Sequence, residues 1–167
     1  ALLGELYASG DTAGTVLLLT IGTGIGGGYA ENGVVVPPDR LGHVQLYADG
    51  KPCTCGRRGC IEVYASGTAL SASVAEHRLP VRGADIWPLY AAADPNAQQA
   101  VHAWLDGLAA GIEKLYAVKP FDRLIVGGGV SDSAAFWLPA LQKRLDLPVT
   151  AAKLRGDAGI IGAYYHA

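Results

Sequence analysis

The chain is 167 residues long, half of them apolar and 17% charged, with a formal net charge of −2 and no methionine. This balance excludes a disordered or fibrous chain and fits one globular domain with a sizeable core. No basic run exceeds a pair such as Arg57-Arg58, and no apolar stretch approaches the ~20 residues of a membrane span, so neither a nucleic-acid surface nor a membrane anchor is expected.

Leu2 to Tyr7 reads as the tail of a helix closed by the turn residues Ser9-Gly10-Asp11. With the missing methionine, that tail carries the expectation of further sequence upstream. Thr15 to Thr20 is a nearly continuous apolar run of strand length, the pattern of a strand buried on both faces. Gly22-Thr23-Gly24-Ile25-Gly26-Gly27-Gly28 follows at once, and then Glu31-Asn32-Gly33 sits between Tyr29-Ala30 and Val34-Val35-Val36. Asn-Gly between short apolar runs predicts a hairpin, so the glycine loop joins two paired strands, and Pro37-Pro38 closes the second hairpin.

His43 to Tyr47 alternates like a further strand, and Ile61 to Glu76 suits a helix. From Ala97 to Val118 a stripe of Val101, Trp104, Leu105, Leu108, Ile112, Leu115 and Tyr116 marks a long amphipathic helix ended by Pro120. Asp122 to Val126 reads as a second buried strand emptying into Gly127-Gly128-Gly129. Ser131-Asp132-Ser133 can cap a helix from Ala134 to Arg144 that contains Pro139. A short strand at Leu147 to Thr150 and a glycine-rich helix from Gly156 to Tyr164 complete a single α/β domain.

His43, Cys53, Cys55 and Cys60 form the spacing His-x9-Cys-x-Cys-x4-Cys and use every cysteine of the chain. Three cysteines cannot build a complete disulfide framework, whereas three thiolates and an imidazole make a closed four-coordinate zinc site with no position for a catalytic water. A structural Zn2+ is the direct reading. Gly56 and Gly59 permit the tight turns, and Arg57 and Arg58 offset thiolate charge. His77, His102 and His166 lack such a ligand set and read as surface or interface residues.

The first glycine loop can present several N–H groups to phosphate oxygens, with Thr23 adding a hydroxyl, or can simply make a tight hairpin. It is neither a Walker A loop, since no Gly-Lys-Ser/Thr follows, nor a dinucleotide fingerprint, since no helix follows. The Gly127 to Gly129 turn also leaves a strand end, where open α/β sheets place ligands, but the same triplet permits close helix packing.

Thr20-Ile21-Gly22-Thr23-Gly24-Ile25-Gly26-Gly27-Gly28, Leu41-Gly42-His43 and Cys53-Thr54-Cys55-Gly56-Arg57-Arg58-Gly59-Cys60-Ile61-Glu62 together resemble the ROK family of sugar kinases and repressors. The similarity runs on through Ile125 to Gly129 and the terminal Gly159-Ile160-Ile161-Gly162-Ala163. The resemblance implies the C-terminal lobe of an actin-like, ribonuclease-H-like ATPase fold over residues 1–167: a mixed sheet flanked by helices, with a small zinc-binding loop. It implies an ATP-dependent hexose or amino-sugar kinase, or alternatively the sugar-sensing lobe of a repressor, cytoplasmic and homodimeric. His43 would ligate zinc and help place sugar hydroxyls, and Glu62 would contact the sugar. Gly22, Thr23, Gly24 and Gly26 would face ATP phosphates, and Gly127, Gly128 and Gly129 the adenosine, with Mg2+ completing the kinase.

The family's catalytic Asp precedes the segment that resembles Ala1 to Glu5, so no residue of this chain takes that role, and the chain alone is expected to be inactive. Asp39 and Asp157 read as turn residues. One departure is Arg40, which stands where the family carries a sugar-binding Glu and so exchanges a hydroxyl acceptor for a cation. That exchange argues against ordinary glucose as the substrate.

Overall fold

The computed structural model describes residues 1–36 and 40–164. Pro37, Pro38, Asp39, Tyr165, His166 and Ala167 lie outside the described residues, and with them the readings of the proline pair as a hairpin stop, of Asp39 as a turn residue and of His166 as a surface or interface residue.

Helix α1 (Leu2–Ser9) ends at Gly10, whose φ of 67° lets its N–H bond back to the carbonyls of Leu6 and Tyr7. Strands β1 (Thr15–Ile21), β2 (Ile25–Glu31) and β3 (Val34–Val36) follow as an antiparallel meander. The β2–β3 turn is the expected hairpin: Asn32 and Gly33 take φ of 48° and 84°, the left-handed pair that a two-residue hairpin requires. Helices α2 (Glu62–Ala65), α3 (Gly67–Glu76), α4 (Trp87–Ala91) and α5 (Pro95–Val118) then carry the chain across to β4 (Arg123–Gly127), parallel to β1. Helix α6 (Ala134–Gln142), β5 (Val149–Ala151), parallel to β4, and α7 (Ala158–Tyr164) complete the described fold, whose sheet order is β3-β2-β1-β4-β5.

Strand β1 is central because its apolar run can be buried on both faces. Leu17, Leu19 and Ile21 join the large core with Trp104, Leu105, Leu108 and Ile112 of α5, while Val16 and Leu18 meet Leu2 and Leu6 of α1 on the opposite face. Helix α5 begins at Asp94, whose carboxylate accepts the N–H groups of Asn96 and Ala97 at 3.0 and 2.9 Å, with Pro95 at the first helical position. Helices α1 and α7 cross through Gly4, where a side chain would run into the Ala158 carbonyl. Glu5, 3% exposed, accepts the N–H groups of Lys153 and Leu154, each at 2.8 Å, and pins α1 to the connection between β5 and α7.

Four local expectations are corrected. His43 to Tyr47 is not a strand: a 3-10 turn over Leu41–His43 leads into a segment whose one ladder contact is Gln45 with Cys60, because its backbone closes on the cysteine loop and not on the sheet. Ile61 to Glu76 is two helices, broken at Ser66, whose extended backbone (φ −76°, ψ 170°) lets its hydroxyl accept the Ala69 N–H at 3.1 Å. Trp104 Nε1 donates to the carbonyls of Ala65 and Ser66 at the break, at 3.0 and 3.1 Å, the Ser66 carbonyl also accepting the Leu70 N–H at 2.9 Å. Ser133 makes no side-chain cap to α6, and Ser131 instead donates back to the Gly128 carbonyl at 2.6 Å, closing a 3-10 turn over Gly129–Ser133. Tyr116 lies outside the α5 core stripe, 44% exposed and edge-on to Phe121.

Candidate metal centre and ligand cleft

The cysteine loop is folded by its own backbone before any metal is considered. Cys53 N–H donates to the Arg57 carbonyl at 2.8 Å, Gly56 N–H to the Cys53 carbonyl at 3.0 Å, and Gly59 N–H to the Lys51 carbonyl at 2.8 Å. Gly56 and Gly59 take φ of 85° and 70°, and a side chain at Gly59 would strike the Tyr47 backbone. The ligand atoms of His43, Cys53, Cys55 and Cys60 thereby lie within 4.8 Å of one another. Cys55 and Cys60 Sγ are 3.6 Å apart, and His43 Nδ1 is 3.6 Å from Cys53 Sγ.

These residues fit zinc. A tetrahedral site with Zn–S bonds of about 2.3 Å has edges of about 3.8 Å, close to the spacings of this cluster. The donor set is also the one zinc prefers, with Cys53 and Cys60 buried. The thiols differ electrically. Hydrogen bonds from the Arg57 backbone and guanidinium lower the Cys55 pKa to about 6, whereas burial pushes that of Cys60 up to about 12. A histidine that ligates through Nδ1 carries its proton on Nε2, which is then a donor on the far side of the ring.

Glu62 begins α2 two positions after Cys60, so the metal loop and the carboxylate are fixed together. Its Oε2 accepts the N–H of Ile25 at 2.9 Å, and Gly42 lies against the carbonyl of the same residue, with no room for a side chain. Ile25 is the first residue of β2, directly after the glycine turn. The fold thus brings Glu62 to the Gly22-Thr23-Gly24 turn, and sets Gly42, the neighbour of His43, against the first residue after that turn. The turn rests on the start of α3: Gly67 N–H donates to the Gly22 carbonyl, and Thr68 Oγ1 to the Thr23 carbonyl, both at 2.7 Å.

The glycine segments are narrower than the sequence reading made them. Only residues 22–24 form the first turn; Gly26 is already in β2, exposed and paired with Thr20. Gly127 is buried as the last residue of β4, on the other side of Thr20. Parallel β1 and β4 therefore empty both glycine turns at one edge of the sheet. Gly128 has a structural duty: its φ is 82°, and a Cβ would lie 2.6 to 2.8 Å from the Ile21 backbone. Gly22 and Gly129 face open space.

Three hollows surround this edge. One of about 410 Å³ is lined by Ala1, Leu2, Thr20, Gly27, Gly28 and Val36 among others. A second, also about 410 Å³, lies between the glycine turn, the metal loop and α3, with Thr23, Gly24, Lys51, Thr54, Glu62 and Thr68 in its wall. A third of about 170 Å³ is bounded by Gly128, Gly129, Asp132, Arg155 and Gly156. Thr20, Lys51, Thr68 and Arg155 were not singled out from the sequence. Thr20 alone left a signal, as the polar end of the β1 run.

The model of the ROK family matches residues 1–167. The chain belongs to the ROK family. It is 30% identical over 170 residues to the N-acetylmannosamine kinase of Yersinia pestis (strain Pestoides F), an alignment that covers 95% of this chain and 59% of that kinase. Among solved structures, a ROK family glucokinase from Streptomyces griseus in complex with glucose and AMPPNP superposes with a TM-score of 0.88 at 28% identity, over 99% of this chain and 64% of that one. A ROK family transcriptional regulator, a homologue of the E. coli MLC protein, superposes at 0.78 and 22% identity over 97% of this chain and 48% of its own, which shows the shared fold. The chain spans about three-fifths of the curated kinases it matches, 59% of their length. The family and the actin-like α/β lobe read from the motifs are borne out. None of the helices among the described residues is long and apolar enough to cross a membrane.

Proposed function

We propose that residues 1–167 are the C-terminal, sugar- and ATP-binding lobe of a ROK-type kinase that transfers the γ-phosphoryl group of ATP to a hydroxyl of a hexose or amino sugar. One observation carries this reading: Glu62 and the His43 turn both close on Ile25, the residue that leaves the glycine turn. A sugar held by His43 and Glu62 therefore lies beside the turn that would hold the phosphates.

In this reading Zn2+ held by His43, Cys53, Cys55 and Cys60 supplies a structural cross-link, with no open position for chemistry. His43 Nε2–H donates to a sugar oxygen, and the Glu62 oxygen not used by Ile25 accepts a sugar hydroxyl. N–H groups of residues 22–24 and the Thr23 hydroxyl stabilise charge on the transferring phosphoryl group, and Gly26 lies on the exposed side of β2 toward the same ligand. Gly127 closes the strand behind the adenosine, Gly128 shapes the turn and Gly129 leaves room for the nucleotide. Mg2+ accompanies ATP. No residue of this chain is assigned as the base that takes the hydroxyl proton, and the 167-residue chain is expected to bind without phosphotransfer. The kinase is cytoplasmic and homodimeric; Tyr116 and Val118, 44% and 66% exposed at the end of α5, offer apolar surface for the second copy, whereas Trp104 is used up in the core.

A second reading, the sugar-sensing lobe of a ROK repressor, is favoured by Arg40. Its side chain is exposed, with neither a hydrogen bond nor an ion pair among the described residues, where a kinase would place a hydroxyl acceptor. Amide spectra of the zinc-loaded chain test the leading reading. Glucose or N-acetylmannosamine should shift Ile25, His43 and Glu62, and AMPPNP with Mg2+ should shift residues 22–24 and 128–129. Sugar shifts without nucleotide shifts would favour the repressor reading, and no shifts with either would overturn both.

A further inference from the structure

We propose that Arg57 is a positioning residue that ties His43 to the cysteine loop, so that metal binding and the placing of the imidazole are one event. Its guanidinium Nη2 donates to the His43 carbonyl at 2.9 Å, a contact spanning 14 positions of sequence. The same side chain stands beside the Cys55 thiol, where its positive charge favours the thiolate. The Arg57 carbonyl accepts the Cys53 N–H at 2.8 Å. One exposed residue therefore hydrogen-bonds two of the four candidate ligands and sets its charge beside a third.

The contact matters because of what else holds this segment. Backbone pairing between it and the cysteine loop begins only after His43: the Val44 carbonyl accepts from Ile61 at 3.0 Å, and the Gly59 carbonyl from Leu46 at 2.7 Å. The His43 carbonyl itself receives no backbone donor among the described residues. Without Arg57 the histidine ends a one-turn helix whose carbonyl faces the loop unpaired. Groups that orient metal ligands in this way are worth roughly 10–100-fold in affinity or activity. Arg57 also sets its positive charge beside a site that would carry three thiolates.

Span and charge are separable. A lysine keeps the charge but presents a single ammonium in place of the planar fork that reaches the His43 carbonyl from beside the Cys55 sulfur. Arg58 is the control. It is equally exposed, and the contacts recorded for it are made through its backbone, to Gln45 Nε2 and in the bridge with Pro52.

The link to the sugar rests on the reading of His43 given above; the link to the metal does not. The experiment measures zinc affinity by chelator competition for the wild-type chain, R57Q, R57K and R58Q, and then sugar affinity at saturating zinc. R57Q and R57K should each lose about tenfold or more in zinc affinity, while R58Q stays within about twofold, as expected of an exposed charge. Sugar binding should weaken in R57Q with AMPPNP binding unchanged. Zinc affinity of R57K equal to wild type would overturn the inference, since charge alone would then suffice, as would equal losses in R57Q and R58Q. Zinc losses confined to the Arg57 variants, in a chain that binds no sugar, would support the tie and overturn the sugar reading of His43.

Discussion

Glu62 Oε2 accepts the backbone N–H of Ile25 at 2.9 Å, so the carboxylate that follows the metal loop also holds the exit of the glycine turn. The two groups are 37 positions apart in sequence. In the proposed function, their pairing makes the residue that would hold the sugar and the turn that would hold the phosphates parts of one unit. A change at Glu62 is therefore expected to register at the nucleotide as well as at the sugar.

The stability effect separates the acceptor from the charge. A hydrogen bond to a charged acceptor contributes about 1.5–3 kcal/mol, and a neutral one about 1 kcal/mol. E62A should lower the unfolding free energy by about 1–3 kcal/mol in urea titrations, and E62Q, which keeps an oxygen for Ile25, by about 1 kcal/mol or less. Equal stability of E62A and wild type would mean that the Ile25 contact does not hold the turn.

The glycines divide by what a side chain would meet. G128A forces alanine into a positive-φ, extended conformation that is essentially confined to glycine, at about 1–3 kcal/mol, and drives its Cβ into the Ile21 backbone, so a loss above about 2 kcal/mol is expected. G22A and G129A enter open space and should stay within about 1 kcal/mol of wild type while weakening AMPPNP binding. Thermal melts and nucleotide titrations of the three variants check this division. A destabilised G129A would show that its glycine serves packing.

Thiol reactivity reads the metal centre through pH. In zinc-free, reduced protein near neutral pH, Cys55 is above its lowered pKa of about 6 and exists as thiolate, while Cys60, raised to about 12, stays protonated. Alkylation should therefore mark Cys55 before Cys60, and its rate should fall as pH drops through about 6. Zinc should protect all three cysteines. Faster labelling of Cys60, or labelling indifferent to zinc, would contradict the cluster as described.

Much of this was legible from residue order, for physical reasons. The β1 run announces a strand buried on both faces, Asn32-Gly33 fixes a hairpin by its left-handed backbone, and the crowded cysteines announce a four-ligand cluster able to hold a metal. What stayed hidden depends on contacts distant in sequence. Trp104 supports the break at Ser66 from 38 positions away, and the segment after His43 pairs with the cysteine loop in place of the sheet. Glu5 lies in a stretch that reads only as helix, and the fold alone brings it to the Lys153 and Leu154 amides. The extent of the glycine turns was misread because Gly26 and Gly127 belong to strands on either side of Thr20, a register that composition does not reveal.

The most direct test of the central claim is sugar-dependent ADP release by the proposed kinase of which this chain would be the C-terminal lobe, with zinc and Mg2+ present and glucose, mannose and N-acetylmannosamine supplied in turn. The account predicts that at least one of these sugars stimulates ADP release with formation of one sugar phosphate per ADP, and that E62A abolishes the stimulation while the 167-residue chain alone shows none. ADP release indifferent to every sugar, or undiminished in E62A, would contradict it.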